Sequence, residues 1–87
     1  MQVAVTQVRA QIEAFVVKEF LDGDGRGLTA TSDLIHMGLI DSISIVTLVE
    51  FCRSHFGVDV PTSELVPGNL RNVETLSSLV MRLTQKT

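Results

Sequence analysis

Three stretches of this chain repeat their apolar residues at helical spacing, and no stretch of useful length alternates them as a strand would. Val5, Val8, Ile12, Phe15, Val16 and Phe20 form one stripe, with Arg9, Glu13, Lys18 and Glu19 elsewhere on the wheel. Ile45, Leu48, Val49, Cys52 and Phe56 form a second, and Val73, Leu76, Leu79, Val80 and Leu83 a third. A chain of 87 residues can bury three such stripes only against one another, so the predicted fold class is an all-α four-helix bundle. It has three main helices, one short one and a long first connection. The connection opens at Leu21-Asp22-Gly23-Asp24-Gly25-Arg26-Gly27, where alternate glycines make helix continuation costly. It runs to Ile40, and connections of this length are usually functional or disordered; Leu34, Ile35, Met37 and Leu39, available to pin it to the core, favour an ordered one. The second helix is expected from Ser42 to about Phe56, ended by Gly57. Pro61 can start a short helical turn through Glu64 and Leu65, and Pro67-Gly68-Asn69 reads as a further break. Asn72 is placed to cap the last helix, with Glu74 in its first turn and Lys86 near its end, each where the helix dipole favours its charge.

Composition narrows the possible functions. The chain has four Phe but no Trp or Tyr, and a small bundle uses its apolar residues on one core, so a deep water-excluding catalytic cavity is hard to build. Ten acidic against seven basic residues give a net charge of −3, which argues against a nucleic-acid partner. The single cysteine, Cys52, excludes an internal disulfide and a multi-cysteine zinc site, and it reads as a small buried hydrophobe. Met1-Gln2-Val3-Ala4-Val5 lacks the basic start and apolar run of a signal peptide. No run approaches the roughly 18 apolar residues of a membrane span. The expectation is a single domain over residues 1–87, cytoplasmic, monomeric and not membrane-bound. Met1 just before the first helix and a last residue just after the final one suggest a freestanding protein.

Asp41-Ser42-Ile43 opens the second helix and sets a serine hydroxyl in its first turn. His36 and His55 invite a hydrolase reading, but His55 lies 13 residues further along the same helix, roughly 20 Å along its axis. No strand–turn–helix context for a nucleophile elbow is present either. A hydroxyl so placed is poorly suited to chemistry of its own and well suited to modification by another protein. Asp22 to Asp33 begins like a calcium loop, with carboxylates at its first and third positions and glycine at the sixth. Arg26 stands at the fifth position, where the metal needs oxygen, Thr29 at the eighth, and the short-armed Asp33 at the twelfth. No metal ligands are therefore assigned, although a small calcium-binding or purely structural interaction module stays open as the alternative. Ile43, Val46, Thr47, Glu50 and Ser54 share the arc of the second helix opposite the core stripe. Ile43 and Val46 are apolar where the core does not need them, as a partner-binding face or as scattered surface hydrophobes.

The stretch Asp33-Leu34-Ile35-His36-Met37-Gly38-Leu39-Ile40-Asp41-Ser42-Ile43 resembles the prosthetic-group site of the acyl carrier and peptidyl carrier protein family. That family's signature is Asp-Ser-Leu or Asp-Ser-Ile preceded by Gly and an apolar pair. The resemblance continues through Phe56-Gly57-Val58-Asp59-Val60-Pro61 and Glu64-Leu65, then Asn69-Leu70-Arg71-Asn72-Val73-Glu74-Thr75-Leu76, and covers essentially the whole chain. It implies a non-catalytic carrier. In the family a phosphopantetheinyl transferase moves 4′-phosphopantetheine from coenzyme A onto the serine, here Ser42. The arm's thiol then carries acyl, aminoacyl or peptidyl groups as thioesters. Asp41 would cap the helix and help position the transferase's metal. Ile43, Val46, Thr47 and Glu50 would meet partners: the transferase, an acyl- or aminoacyl-activating (adenylating) enzyme, and a downstream transferase, synthase or condensing enzyme. Fatty-acid-synthase carriers typically have a strongly acidic second helix, whereas Glu50 and Arg53 are the only acid and the only Arg or Lys here. That departure points to a specialised nonribosomal peptide, polyketide or aminoacyl pathway.

Overall fold

The computed structural model describes residues 5–85. Among them lie four α-helices and no strand: α1 (Val5–Phe20), α2 (Ser42–Phe56), α3 (Pro67–Leu70) and α4 (Val73–Gln85), with a 3₁₀ turn at Thr62–Glu64 between α2 and α3. The expected place of Lys86 lies outside the described residues. No helix among those residues is long and apolar enough to cross a membrane.

The α1 backbone lies closest to α4, and Val8, Ile12 and Val16 are fully buried along it. Val73, Leu76, Leu79, Val80 and Leu83 line the buried side of α4, as their spacing predicts. Ser77 joins them by turning its hydroxyl back to the Val73 carbonyl, which accepts its hydrogen bond at 2.7 Å and removes the cost of a buried polar group. Two expectations about stripes need correction. Val5 begins the α1 stripe by spacing but is exposed, because a stripe is buried only where a neighbour covers it. Phe51 lies off the α2 stripe by spacing but is buried, because its ring stacks on Phe15 of α1 with centroids 4.1 Å apart.

The breaks also have structure. Gly57 ends α2 at φ 65°, its N–H donating to the Arg53 carbonyl at 3.0 Å. Asn72 caps α4, its Oδ1 accepting from the Thr75 N–H at 2.7 Å. Pro67-Gly68-Asn69, expected as a break, forms most of α3 instead. Proline suits the first helical position, where its fixed φ is already helical and a missing N–H costs nothing, and buried Leu70 holds the turn to the core.

The long connection is stitched to the α3–α4 corner. The Leu34 N–H donates to the Arg71 carbonyl at 2.7 Å, and the Glu74 N–H to the Ala30 carbonyl at 3.0 Å. Of the four apolar anchors expected there, Leu34 is fully buried and Leu39 packs partly against the core. Ile35 and Met37 are 37% and 46% exposed, because the turn around them points them outward. A radius of gyration of 12.0 Å matches the roughly 12 Å of a fully packed chain this long. The connection is therefore folded onto the bundle.

Candidate functional site

Residues 33–39 form one closed helical turn just before α2. Its backbone bonds run from the Met37 N–H to Asp33, from Gly38 to Ile35 and from Leu39 to Leu34, each at 3.0 Å. Gly38 takes φ 78°, a left-handed backbone that lets the chain reverse without a Cβ clash. Three residues later Asp41 adopts extended geometry, and its Oδ1 accepts a 2.8 Å hydrogen bond from the Ser44 N–H. The Ile45 N–H donates to the Asp41 carbonyl at 2.9 Å, so the α-helical ladder begins here. The Asp41 carboxyl is held below the usual carboxylate range, first by the Ser44 backbone N–H, then by the Ser44 side chain and weakly by the Ile43 N–H.

Ser42 is thus the first helical residue of α2 and is exposed. No residue among those described hydrogen-bonds its hydroxyl. His55 stands at the far end of α2 with its ring over Phe51, centroids 4.4 Å apart, and the His36 backbone N–H bonds Asp33. Neither histidine is hydrogen-bonded to the serine. What the site has is an open helix N-terminus. The N–H groups of Ser42 and Ile43 have no helical carbonyl to meet, and the positive end of the dipole favours an anion on the hydroxyl oxygen.

Along α2 from the serine, Ile43 is 78% and Val46 64% exposed. The Thr47 hydroxyl donates to the Ile43 carbonyl at 3.1 Å, so its polar atom is engaged within the helix. Glu50 pairs with Arg53 at 3.6 Å, and Arg53 also reaches Asp59 at 3.0 Å. The face is apolar near the serine, and its charges further along are matched with one another.

The calcium-like loop is closed by its own cation. Arg26 donates from Nε and its terminal nitrogen to both Asp24 carboxylate oxygens at 3.0 Å. The pairing holds the Asp24 carboxyl below, and the Arg26 guanidinium above, their ordinary ranges. Among the described residues no three His, Cys, Asp or Glu side chains are grouped to hold a metal.

Two spaces bear on a tethered group. The interior, lined by Leu48, Cys52, Leu65, Leu76 and neighbours, holds about 10 Å³ of free volume, no more than one water needs. An acyl group could enter only if the helices parted. An open groove of about 420 Å³ runs between α1 and α2, past Phe15, Thr47, Glu50 and His55. The spacing within either helix did not foretell it, because it exists only once the two pack. Asp33 also has a part that its place at the end of a calcium-like loop did not show: its Oδ1 accepts from the His36 N–H at 3.0 Å. The signal was present, since an Asp five residues before a Gly can cap one closed turn.

The site is an exposed serine at a helix start in an all-α bundle. The sequence profile of the phosphopantetheine attachment site family matches residues 14–83. A curated relative, the probable acyl carrier protein PigG of Serratia sp. (strain ATCC 39006), is 34% identical over 68 residues, 78% of each chain. A solved chain from a crystal structure of FAD-dependent dehydrogenase superposes with TM-score 0.74 at 32% identity, covering 79% of this chain and 97% of that one. A second, from a Bradyrhizobium japonicum glycine:[carrier protein] ligase complexed with glycylated carrier protein, shares the fold with TM-score 0.61 at 24% identity, covering 86% and 96%. The chain belongs to the phosphopantetheine-attachment family of acyl-carrier type, and its role is that of a non-catalytic carrier protein.

Proposed function

We propose that Ser42 bears 4′-phosphopantetheine and that the protein shuttles acyl, aminoacyl or peptidyl thioesters between enzymes. The observation that carries this reading is the exposed Ser42 hydroxyl at the start of α2, inside the family-matched span and free of any hydrogen bond among the described residues. In the loading step the Ser42 oxygen attacks the phosphorus that bears the pantetheine in coenzyme A. An ester bond forms, the diphosphate bridge breaks, and the adenosine bisphosphate half leaves. The transferase supplies the base that takes the serine proton and the metal that balances the leaving charge, with Asp41 beside it. The resulting phosphodiester lies at the open N–H groups of α2. Cytoplasmic coenzyme A supplies the arm.

Ile43, Val46, Thr47 and Glu50 form the face that meets the transferase, the adenylating enzyme and the downstream transferase, synthase or condensing enzyme. The matched charges of α2 favour short-range apolar docking, and with it an aminoacyl, peptidyl or polyketide pathway over housekeeping fatty-acid synthesis. The likeness at 32% identity to a chain from a crystal structure of FAD-dependent dehydrogenase makes an enzyme of that kind a candidate downstream partner.

Intact mass after incubation with coenzyme A, magnesium and a broad-specificity transferase tests the assignment. Wild type gains one phosphopantetheine, Ser42→Ala gains none, and Ser44→Ala, altered two residues along the same helix, still gains one. Modification of Ser42→Ala would overturn it.

A further inference from the structure

We propose that Asp33 is a positioning residue for Ser42, its one carboxylate both starting the turn that delivers the serine and tying that turn to the α3–α4 corner. The inference rests on Ser42 as the attachment point. Asp33 Oδ1 accepts from the His36 N–H at 3.0 Å and caps the closed turn over residues 33–39. Asp33 Oδ2 faces the Arg71 guanidinium at 3.7 Å, beside the 2.7 Å bond from the Leu34 N–H to the Arg71 carbonyl. Leu34, the residue after Asp33, is fully buried, so the head of the turn is fixed while its tail leads through Ile40 and Asp41 straight into α2. The hydroxyl therefore stands where this turn puts it. The two halves of the device differ in strength. The Asp33–Arg71 pair is half exposed and screened, so alone it contributes little. The cap satisfies a backbone donor and carries most of the effect.

Substitution separates the halves. Asp33→Asn keeps an oxygen for the His36 N–H and loses the charge, Arg71→Gln removes the cation and keeps the cap, and Asp33→Ala removes both. The measurements are steady-state loading of the full chain by a phosphopantetheinyl transferase, and amide hydrogen exchange of the apo protein. Asp33→Ala raises KM for the carrier by more than twofold and up to about fivefold with kcat and helical circular dichroism unchanged, the ceiling being set by loss of an ordinary cap from the competent population. Its His36 and Leu39 amides exchange faster while those of α4 do not. Asp33→Asn and Arg71→Gln each raise KM about twofold, and the double variant is no worse than either, because both remove one ion pair. The cycle of these two variants keeps the test decisive should Asp33→Ala lose its helical signal. A wild-type KM in Asp33→Ala, equal impairment in Asp33→Asn and Asp33→Ala with unchanged His36 exchange, or additivity in the cycle would each overturn the proposal. Failure of the attachment reading shows separately, as modification of Ser42→Ala.

Discussion

The Asp41 carboxylate owes its depressed pKa to the Ser44 N–H at the start of α2, and this gives the helix cap a pH dependence of known sign. In the unfolded chain the group titrates near its ordinary value of about 3.9. The folded value is lower, so the charged cap stabilises the fold above the unfolded value and loses that contribution as pH falls through the folded one. Asn at this position keeps an acceptor without the charge. Thermal melts of wild type and Asp41→Asn from pH 6 down to pH 2 should show wild type ahead at pH 6 and the gap closing in the most acid samples. The gap is small because the carboxylate is fully solvated, and salt narrows it. The other titrating residue of consequence is Cys52. Burial pushes its thiol up to about 11, so little thiolate forms at neutral pH and none is accessible. Native apo protein should react with a disulfide reagent only after unfolding, and loading should add one fast thiol. A fast thiol in the apo protein would contradict the buried position. On the proposed attachment, the chain's own sulfur would not compete with the arm for a thioester.

At the level of elements, α2 has two unlike arcs. Leu48, Phe51 and Cys52 are buried against the bundle, while Ile43 and Val46 stand out in solvent. A charge at Val46 therefore touches no core contact, and surface changes of this kind usually move stability by less than about 0.5 kcal/mol. Placed in a partner's apolar socket, the same charge opposes burial of a whole valine side chain. Val46→Asp should keep the wild-type melt and lose at least about tenfold in kcat/KM for loading. Normal loading with that change would show that the face is not used. The ends of α2 were legible because single residues set them: Asp41 caps, Gly57 reverses the chain, and the apolar period does the rest. Helix α3 was not legible, because Pro67 and Gly68 are both breakers by local rule. Only buried Leu70 makes a helical turn the better arrangement there.

For the molecule as a whole, charge is spread rather than focused. The net charge of −3 includes no acidic helix, and Glu50, Arg53 and Asp59 form a local network on and beside the proposed docking face. Long-range steering should be weak. Raising salt from about 0.05 M to about 0.5 M should change the KM for loading by less than about twofold. A steep rise would mean that electrostatics, not Ile43 and Val46, guides the encounter. The closed interior has a related consequence: with about 10 Å³ free, an acyl group on the proposed arm would not fit inside the bundle as it stands.

The three long helices, the α2 caps, the α4 stripe and the displayed serine were determined by sequence alone, because each rests on residues within a turn or two of one another. Tertiary structure decided the rest. Phe51 is buried because Phe15 arrives from α1, Ile35 and Met37 are exposed because their turn is closed at both ends, and Asp33 acquires Arg71 from a corner nearly forty residues away. Local hydrogen bonds and periodicity need only neighbours in sequence. Burial, ring stacking and the tether that places Ser42 need neighbours in space, and the chain acquires those only when the bundle closes.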